Sequence, residues 1–190
     1  MAKALYNHVN AKRVLDFCSG FGGRLLGFWA SNAEEYVGID PNTDIPYHKL
    51  INFLQPLKSK SARIIPACAE DVDYKELGIF DTIFTSPPYF NTEIYSDQPT
   101  QSSTRYPTLQ SWLERFLFTI LDKVIQVLAP NGTLMINIKD SKKHAIVEPM
   151  LSHLRKIPTL KEGIHIKLLQ AKRHRNNTRY EYIYIWKRIT

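Results

Sequence analysis

Phe80-Asp81-Thr82-Ile83-Phe84-Thr85-Ser86-Pro87-Pro88-Tyr89-Phe90 is the stretch from which the fold can be read. Ile83 and Phe84 form the apolar body of a buried strand, and Pro87 and Pro88 cannot continue a ladder. Each proline restricts the residue before it to extended geometry, so Ser86 and Pro87 are held stiff. The turn carries a hydroxyl, carbonyls that no helix or strand need use, and a phenol ring. Its place is the carboxyl end of a strand, where open α/β sheets bind their ligands.

The segments on either side alternate. Residues 13–18 (RVLDFC) read as a strand running into Ser19-Gly20-Phe21-Gly22-Gly23, with a helix over 24–30. Residues 35–40 (EYVGID) read as a second strand, ended by Pro41. Residues 44–58 read as a helix, with Ile45, Leu50, Ile51 and Leu54 near helical spacing and Pro46 in the first turn. A third strand, 62–67, contains Pro66, which places it at an edge or a strand end. Residues 70–77 are a short helix or loop, broken by Gly78. Residues 91–108 are polar, carry Pro99 and Pro107 and fit no regular element; such a length reads as a binding loop, a lid or disorder.

Residues 109–128 are the longest helical stretch, stopped by Ala129-Pro130-Asn131-Gly132. A fifth strand (133–138), a helix (145–156) and two closing strands (164–169 and 180–186) follow, the last two joined by a basic, turn-like segment at 170–179. The expected fold is α/β: a seven-stranded, mostly parallel sheet with helices on both faces and an antiparallel C-terminal strand pair.

With 190 residues and 44% of them hydrophobic, the chain is long enough for one domain with its own core. No apolar run is long enough to span a membrane, and residues 1–10 lack the shape of a signal peptide. Cys18 and Cys68 form no CxxC pair and read as buried free thiols of a cytoplasmic protein. His8, His48, His144, His153 and His165 show no metal-like grouping, so no metal is expected. The net charge of +7 suits a polyanionic partner. Towards the C-terminus, Lys167, Lys172, Arg173, Arg175, Arg179, Lys187 and Arg188 stand against Glu181 alone, a pattern that suits nucleic acid.

The glycine loop narrows the ligand. Glycines between a strand and a helix let the backbone turn tightly and let a ligand approach without a Cβ in the way. Asp40, at the end of the next strand, can accept both hydroxyls of a ribose, so an adenosine-type ligand is expected. No Gly-Lys-Ser/Thr follows, which excludes a P-loop, and Gly23-Arg24-Leu25 departs from Gly-x-Gly-x-x-Gly. Asp16 would repel a pyrophosphate and welcome a cation such as the ammonium of a methionine moiety. That shifts the reading from a dinucleotide to S-adenosyl-L-methionine.

The pattern Asp16-x-x-x-Gly20-x-Gly22, Gly38-Ile39-Asp40 and Ser86-Pro87-Pro88-Tyr89 resembles the class I S-adenosylmethionine-dependent methyltransferases, whose domain is Rossmann-like. Within them it is similar to the amino-methylating DNA methyltransferases, and the resemblance spans roughly residues 13–186. It implies methyl transfer to an exocyclic amino group of a base, with Ser86, Pro87, Pro88 and Tyr89 as the catalytic turn. The amine's lone pair is delocalised into the ring, and acceptors against its two N–H bonds free that lone pair. By resemblance these are the Ser86 side chain and the Pro87 carbonyl. Tyr89 would stack on the flipped base, with Phe90 adding to the wall. Serine in the first position leans towards cytosine N4; adenine N6, and RNA in place of DNA, stay open.

The resemblance also implies a cofactor site formed by Asp16, Cys18, Gly20, Gly22 and Asp40. The family's acid that reads the adenine amine would fall at Cys68, a departure that leaves the assignment open among Cys68, Glu70 and Asp71. Candidate substrate contacts are Phe90, Arg105, Arg173 and Arg175, with Tyr95 and Tyr106 on the long loop; Lys139 and Asp140 end the fifth strand nearby. No separate target-recognition domain is expected within residues 1–190. Sequence choice then falls to the loops at 91–108 and 170–179, a separate recognition subunit or a removed part of a longer chain, or else selectivity is low or the substrate is single-stranded. A non-catalytic, methyltransferase-like subunit that binds nucleic acid is the contrasting expectation.

Overall fold

A computed structural model of the chain describes residues 1–42, 45–57, 59–92, 94, 98–169 and 180–189. Helix α1 (Ala2–His8) precedes β1 (Arg13–Asp16), α2 (Gly23–Trp29), β2 (Glu35–Ile39), α3 (Tyr47–Leu54), β3 (Ser61–Ile65) and β4 (Phe80–Thr85). Helices α4 (Ser102–Arg105) and α5 (Leu109–Trp112) follow, and a π-helical stretch (Leu113–Phe118) joins α5 to α6 (Thr119–Gln126). The chain ends with β5 (Leu128–Ile138), α7 (Val147–Arg155), β6 (Leu160–Glu162), β7 (Ile166–Leu169) and β8 (Tyr180–Arg188).

The sheet order is β3-β2-β1-β4-β5-β8-β6, with β7 also paired to β8. Strands β1 to β5 run parallel, and β8 lies antiparallel to β5, β6 and β7. The order reverses between β1 and β4, the place where such sheets open a ligand crevice at their carboxyl ends.

Strand periodicity sorts the core into two layers. Val14, Tyr36, Phe84 and Met135 point to one face, where they pack with Leu5 and Tyr6 of α1 and Leu25 and Phe28 of α2. Leu15, Val37, Ile83 and Leu134 point to the other, against Trp112, Leu117, Leu121 and Val124 of the long helix and Met150 and Leu154 of α7. The expected mostly parallel sheet with helices on both faces and antiparallel C-terminal strands is therefore present.

Several expectations are revised. Among the described residues the sheet has eight strands rather than the expected seven, because β8 meets two short strands in turn: β6 pairs with residues 186–188 and β7 with 180–183. Residues 2–8 form a helix that packs close on α2; a Cβ at Gly27 would lie 2.4 Å from Ala2 Cβ. The stretch expected to lack regular structure contains α4. Residues 70–77 fall into two 3-10 turns, Ala69–Asp71 and Tyr74–Leu77. Strand β5 starts at Leu128, opposite Phe80, and the register then jumps to Thr82 opposite Thr133; Asn131 in the bulge has φ +62°. Arg173, Arg175 and Tyr95 lie outside the described residues. Among the described residues no helix is long and apolar enough to cross a membrane.

Candidate active site

A cleft of about 260 Å³ lies across the carboxyl ends of β1, β2, β3 and β4, walled by Ser19, Gly20, Asp40, Glu70, Ser86 and Gln101 among others. Four strand ends and the segment before α4 thus meet around one space.

The glycine loop forms one wall. Gly20 has φ +55°, a left-handed conformation that a side chain disfavours, and a Cβ there would meet nothing within 4 Å. A ligand can therefore approach Gly20 with no side chain in the way. Its N–H donates to Asp40 Oδ2 at 2.8 Å, and the Asn42 N–H donates to Oδ1 at 3.0 Å. The Tyr47 hydroxyl donates to the Gly20 carbonyl from the other side. Gly38 sets the spacing between strand and loop: a Cβ there would fall 2.3 Å from Ser19 Oγ. Burial pushes the Asp40 carboxyl up, against the two N–H donors that pull it down. Each Asp40 oxygen has lone-pair capacity beyond its one backbone donor. Cys18, expected here, lines the same wall, and its thiol is pushed well up by burial.

Asp16 does not face the cleft as expected. It is fully buried, and its carboxylate accepts from the Tyr36 hydroxyl at 2.6 Å and from Arg24 Nε at 2.7 Å. A ligand ammonium cannot reach it in this arrangement. Arg24, one residue into α2, lines the cleft in its place. Burial works against the Arg24 charge, but Asp16 beside it raises its pKa overall.

The third wall follows β3. Cys68 and Glu70 line the cleft, and Cys68 Sγ contacts the Thr100 carbonyl at 3.8 Å. The Glu70 carboxylate accepts from Arg105 Nη1 at 2.6 Å, and the same nitrogen donates to Asp71 Oδ2 at 2.8 Å. Arg105 is therefore committed to two carboxylates rather than being a spare cation for substrate, and hydrogen bonding to Asp71 is the main cause of its raised pKa. Burial raises the Glu70 carboxyl while Arg105 opposes that shift. Ligand-type atoms of Cys68, Glu70 and Asp71 lie within 4.8 Å of one another, with the guanidinium on the two acids.

The fourth wall is the turn after β4. Ser86 and Pro88 line the cleft. The Ser86 hydroxyl and the Pro87 carbonyl have no hydrogen-bond partner among the described residues. Tyr89 is 8% exposed, and Lys139 Nζ sits 5.4 Å from its ring centroid. Phe90, expected to add to a base-stacking wall, is a core residue instead. Its backbone is left-handed (φ +55°), and its ring packs 5.0 Å from His144 and 6.0 Å from Trp112.

The fold thus brings together Cys18, Gly20, Asp40, Cys68, Glu70, Ser86 and Pro88 around one space. Sequence reading missed Phe21, which is 76% exposed at the cleft, and Gln101 and Ser102, which are buried beside it. It also missed Arg24; a basic residue in the first turn after a glycine loop was the signal available. Ser102 is held by Trp112, whose Nε1 donates to Ser102 Oγ at 3.1 Å.

A family model described as DNA methylase matches residues 80–188, more than half of the chain. The match starts at β4 and includes residues 86–89; the glycine loop lies ahead of it. No curated protein matches the sequence. Among solved structures, TrmN from Thermus thermophilus aligns with a TM-score of 0.63 at 15% identity, covering 99% of this chain and 48% of that one. The chain thus spans about half the length of the TrmN structure. An rRNA methylase from Streptococcus thermophilus aligns with a TM-score of 0.62 at 14% identity, covering 100% of this chain and 96% of that one. Precorrin-6y C5,15-methyltransferase from Geobacter metallireducens aligns with a TM-score of 0.59 at 11% identity, covering 98% and 87%. At these identities the likeness establishes a shared fold.

Proposed function

The chain belongs to the DNA methylase family, and on that premise we propose that it transfers a methyl group from S-adenosylmethionine to an exocyclic amino group of a base, first of all cytosine N4 in DNA. Methyltransferases of this family and fold generally use S-adenosylmethionine. The cleft suits that molecule: Gly20 leaves room where a side chain would stand, and Asp40 offers acceptor capacity at both oxygens for a ribose diol. When bound, the cofactor supplies an electrophilic methyl group on a sulfonium.

The observation that carries the reading is the pair of acceptors after β4 that have no partner among the described residues. Ser86 lines the cleft, and the Pro87 carbonyl belongs to the same proline-stiffened turn. Both can accept N–H bonds from one amine, which turns the nitrogen lone pair out of the ring system. A serine hydroxyl is not a base at neutral pH, so Ser86 orients the amine rather than deprotonating it. Positioning of this kind supplies much of the rate in a direct displacement. The excess positive charge favours a polyanion. RNA is the second reading, since TrmN and the rRNA methylase share the fold.

The test is incubation with labelled S-adenosylmethionine and DNA or RNA, digestion to nucleosides and identification of the labelled one by mass. N4-methyldeoxycytidine is expected. N6-methyldeoxyadenosine would change the base, label confined to RNA would change the polymer, and label in no nucleoside would overturn the reading.

A further inference from the structure

We infer that Arg24 is the receptor for the carboxylate of the methionine moiety, and that Asp16 serves the cofactor only by holding Arg24 in place. The inference rests on the reading of the cleft as an S-adenosylmethionine site.

Asp16 has no exposed surface, and its Oδ2 already takes the Tyr36 hydroxyl at 2.6 Å and Arg24 Nε at 2.7 Å. A carboxylate in that state offers nothing to a ligand cation. The guanidinium beside it is clamped on two edges. Nε is bonded to Asp16, and Nη2 donates to the Cys18 carbonyl. Nη1 has no protein acceptor among the described residues, and Arg24 lines the cleft. The chain thus presents a fixed planar donor group whose remaining N–H bonds are available, the geometry in which arginine recognises a carboxylate.

Its position suits the amino-acid tail. Arg24 Cζ lies 6.0 Å from the Phe84 ring on β4, the strand that leads to Ser86. Asp40 follows β2, on the other side of β1. Asp40 and Arg24 thus line one cleft, the acid suited to a ribose diol and the cation to the carboxylate of the amino-acid tail. Asp16 neutralises the guanidinium while no ligand is bound, so the buried charge is paired with or without one.

Calorimetry on the whole chain with two ligands tests this. S-adenosylhomocysteine carries the amino-acid tail; 5′-methylthioadenosine has the same nucleoside and a thioether but no tail. Arg24→Gln is expected to weaken S-adenosylhomocysteine about 10- to 100-fold, the range for a lost charged hydrogen-bond pair, and to leave methylthioadenosine within about twofold. Arg24→Lys keeps a charge opposite Asp16 and is expected to weaken the first ligand less than Arg24→Gln. If Arg24→Gln fails to fold because Asp16 is left unpaired, Asp16→Asn/Arg24→Gln removes that charge and must show the same ligand selectivity. Equal loss for both ligands, or loss for neither, overturns the role of Arg24 and leaves the cofactor reading standing. A wild-type chain that binds neither ligand overturns both.

Discussion

Arg105 Nη1 lies 2.6 Å from Glu70 Oε1 and 2.8 Å from Asp71 Oδ2, so one guanidinium ties α4 to the turn after β3. Glu70 is almost wholly buried, while Arg105 is partly exposed. Removing the cation leaves a buried carboxylate without its counter-charge. Arg105→Ala is expected to cost about 1–3 kcal/mol, measured as a shift of the denaturant midpoint at constant slope. It also frees the segment beside the cleft. Amide exchange at residues 100–105 is expected to rise more than exchange in β1 and β4; uniform exchange would contradict the tie.

Ser86 and Asp40 line the same cleft, and under the proposed function they divide its labour. Ser86→Ala removes one acceptor for the amine and is expected to lower turnover by about 10- to 100-fold, with S-adenosylhomocysteine affinity near wild type. Asp40→Ala is expected to do the reverse, weakening the cofactor by a similar factor through two lost charged hydrogen bonds. Equal loss of cofactor affinity in both variants would sink the division.

Asp40 also sets a pH dependence. Burial raises its carboxyl above the ordinary 3.8, against the Gly20 and Asn42 N–H groups. The ionised form is the better acceptor for a ribose diol. Cofactor affinity is therefore full well above that raised pKa and falls as pH drops through it, from a higher pH than an ordinary aspartate would give. For the fold the sign is opposite. A raised pKa means the folded state holds the proton more tightly, so the charged form costs stability, and acidification through the folded pKa relieves that cost. Titration calorimetry and thermal melts over the same pH range should diverge.

Gly38 is required by distance. A Cβ there would lie 2.3 Å from Ser19 Oγ and 2.4 Å from Ile64 Cδ1. Gly38→Ala is expected to cost about 1–3 kcal/mol and to displace the glycine loop, seen as a lower Tm with weakened cofactor binding. Adding Ser19→Ala removes the closer contact, so the double variant should recover part of the loss.

Local pattern carried much of this fold. The strand, glycine loop, helix, strand and acid from Arg13 to Asp40 are legible because each element announces itself by periodicity or by glycine and proline. Pairing between distant side chains was not legible. Asp16 reads as free because nothing in the sequence says that the first turn of α2 folds back over the end of β1; eight residues separate it from Arg24. Arg105 reads as a substrate contact because its partners lie about thirty-five residues earlier. Helix α1 is short, has no side-chain cap and owes its place to close packing on α2 at Gly27. Phe90 reads as an exposed wall because the turn that carries its ring inward depends on a left-handed backbone at a non-glycine residue.

The two short strands on the outer side of β8 bear on assembly. A long open sheet edge is a template on which another chain can add a strand. Here the border of the sheet is broken at Gly163, whose N–H turns inward to the Ile185 carbonyl at 2.8 Å. Neither β6 nor β7 offers more than a few aligned backbone groups. Short, interrupted edges of this kind blunt strand addition. A companion protein approaching from that side would have to grip side chains, leaving the hydrogen-bond ladder of the sheet as it is.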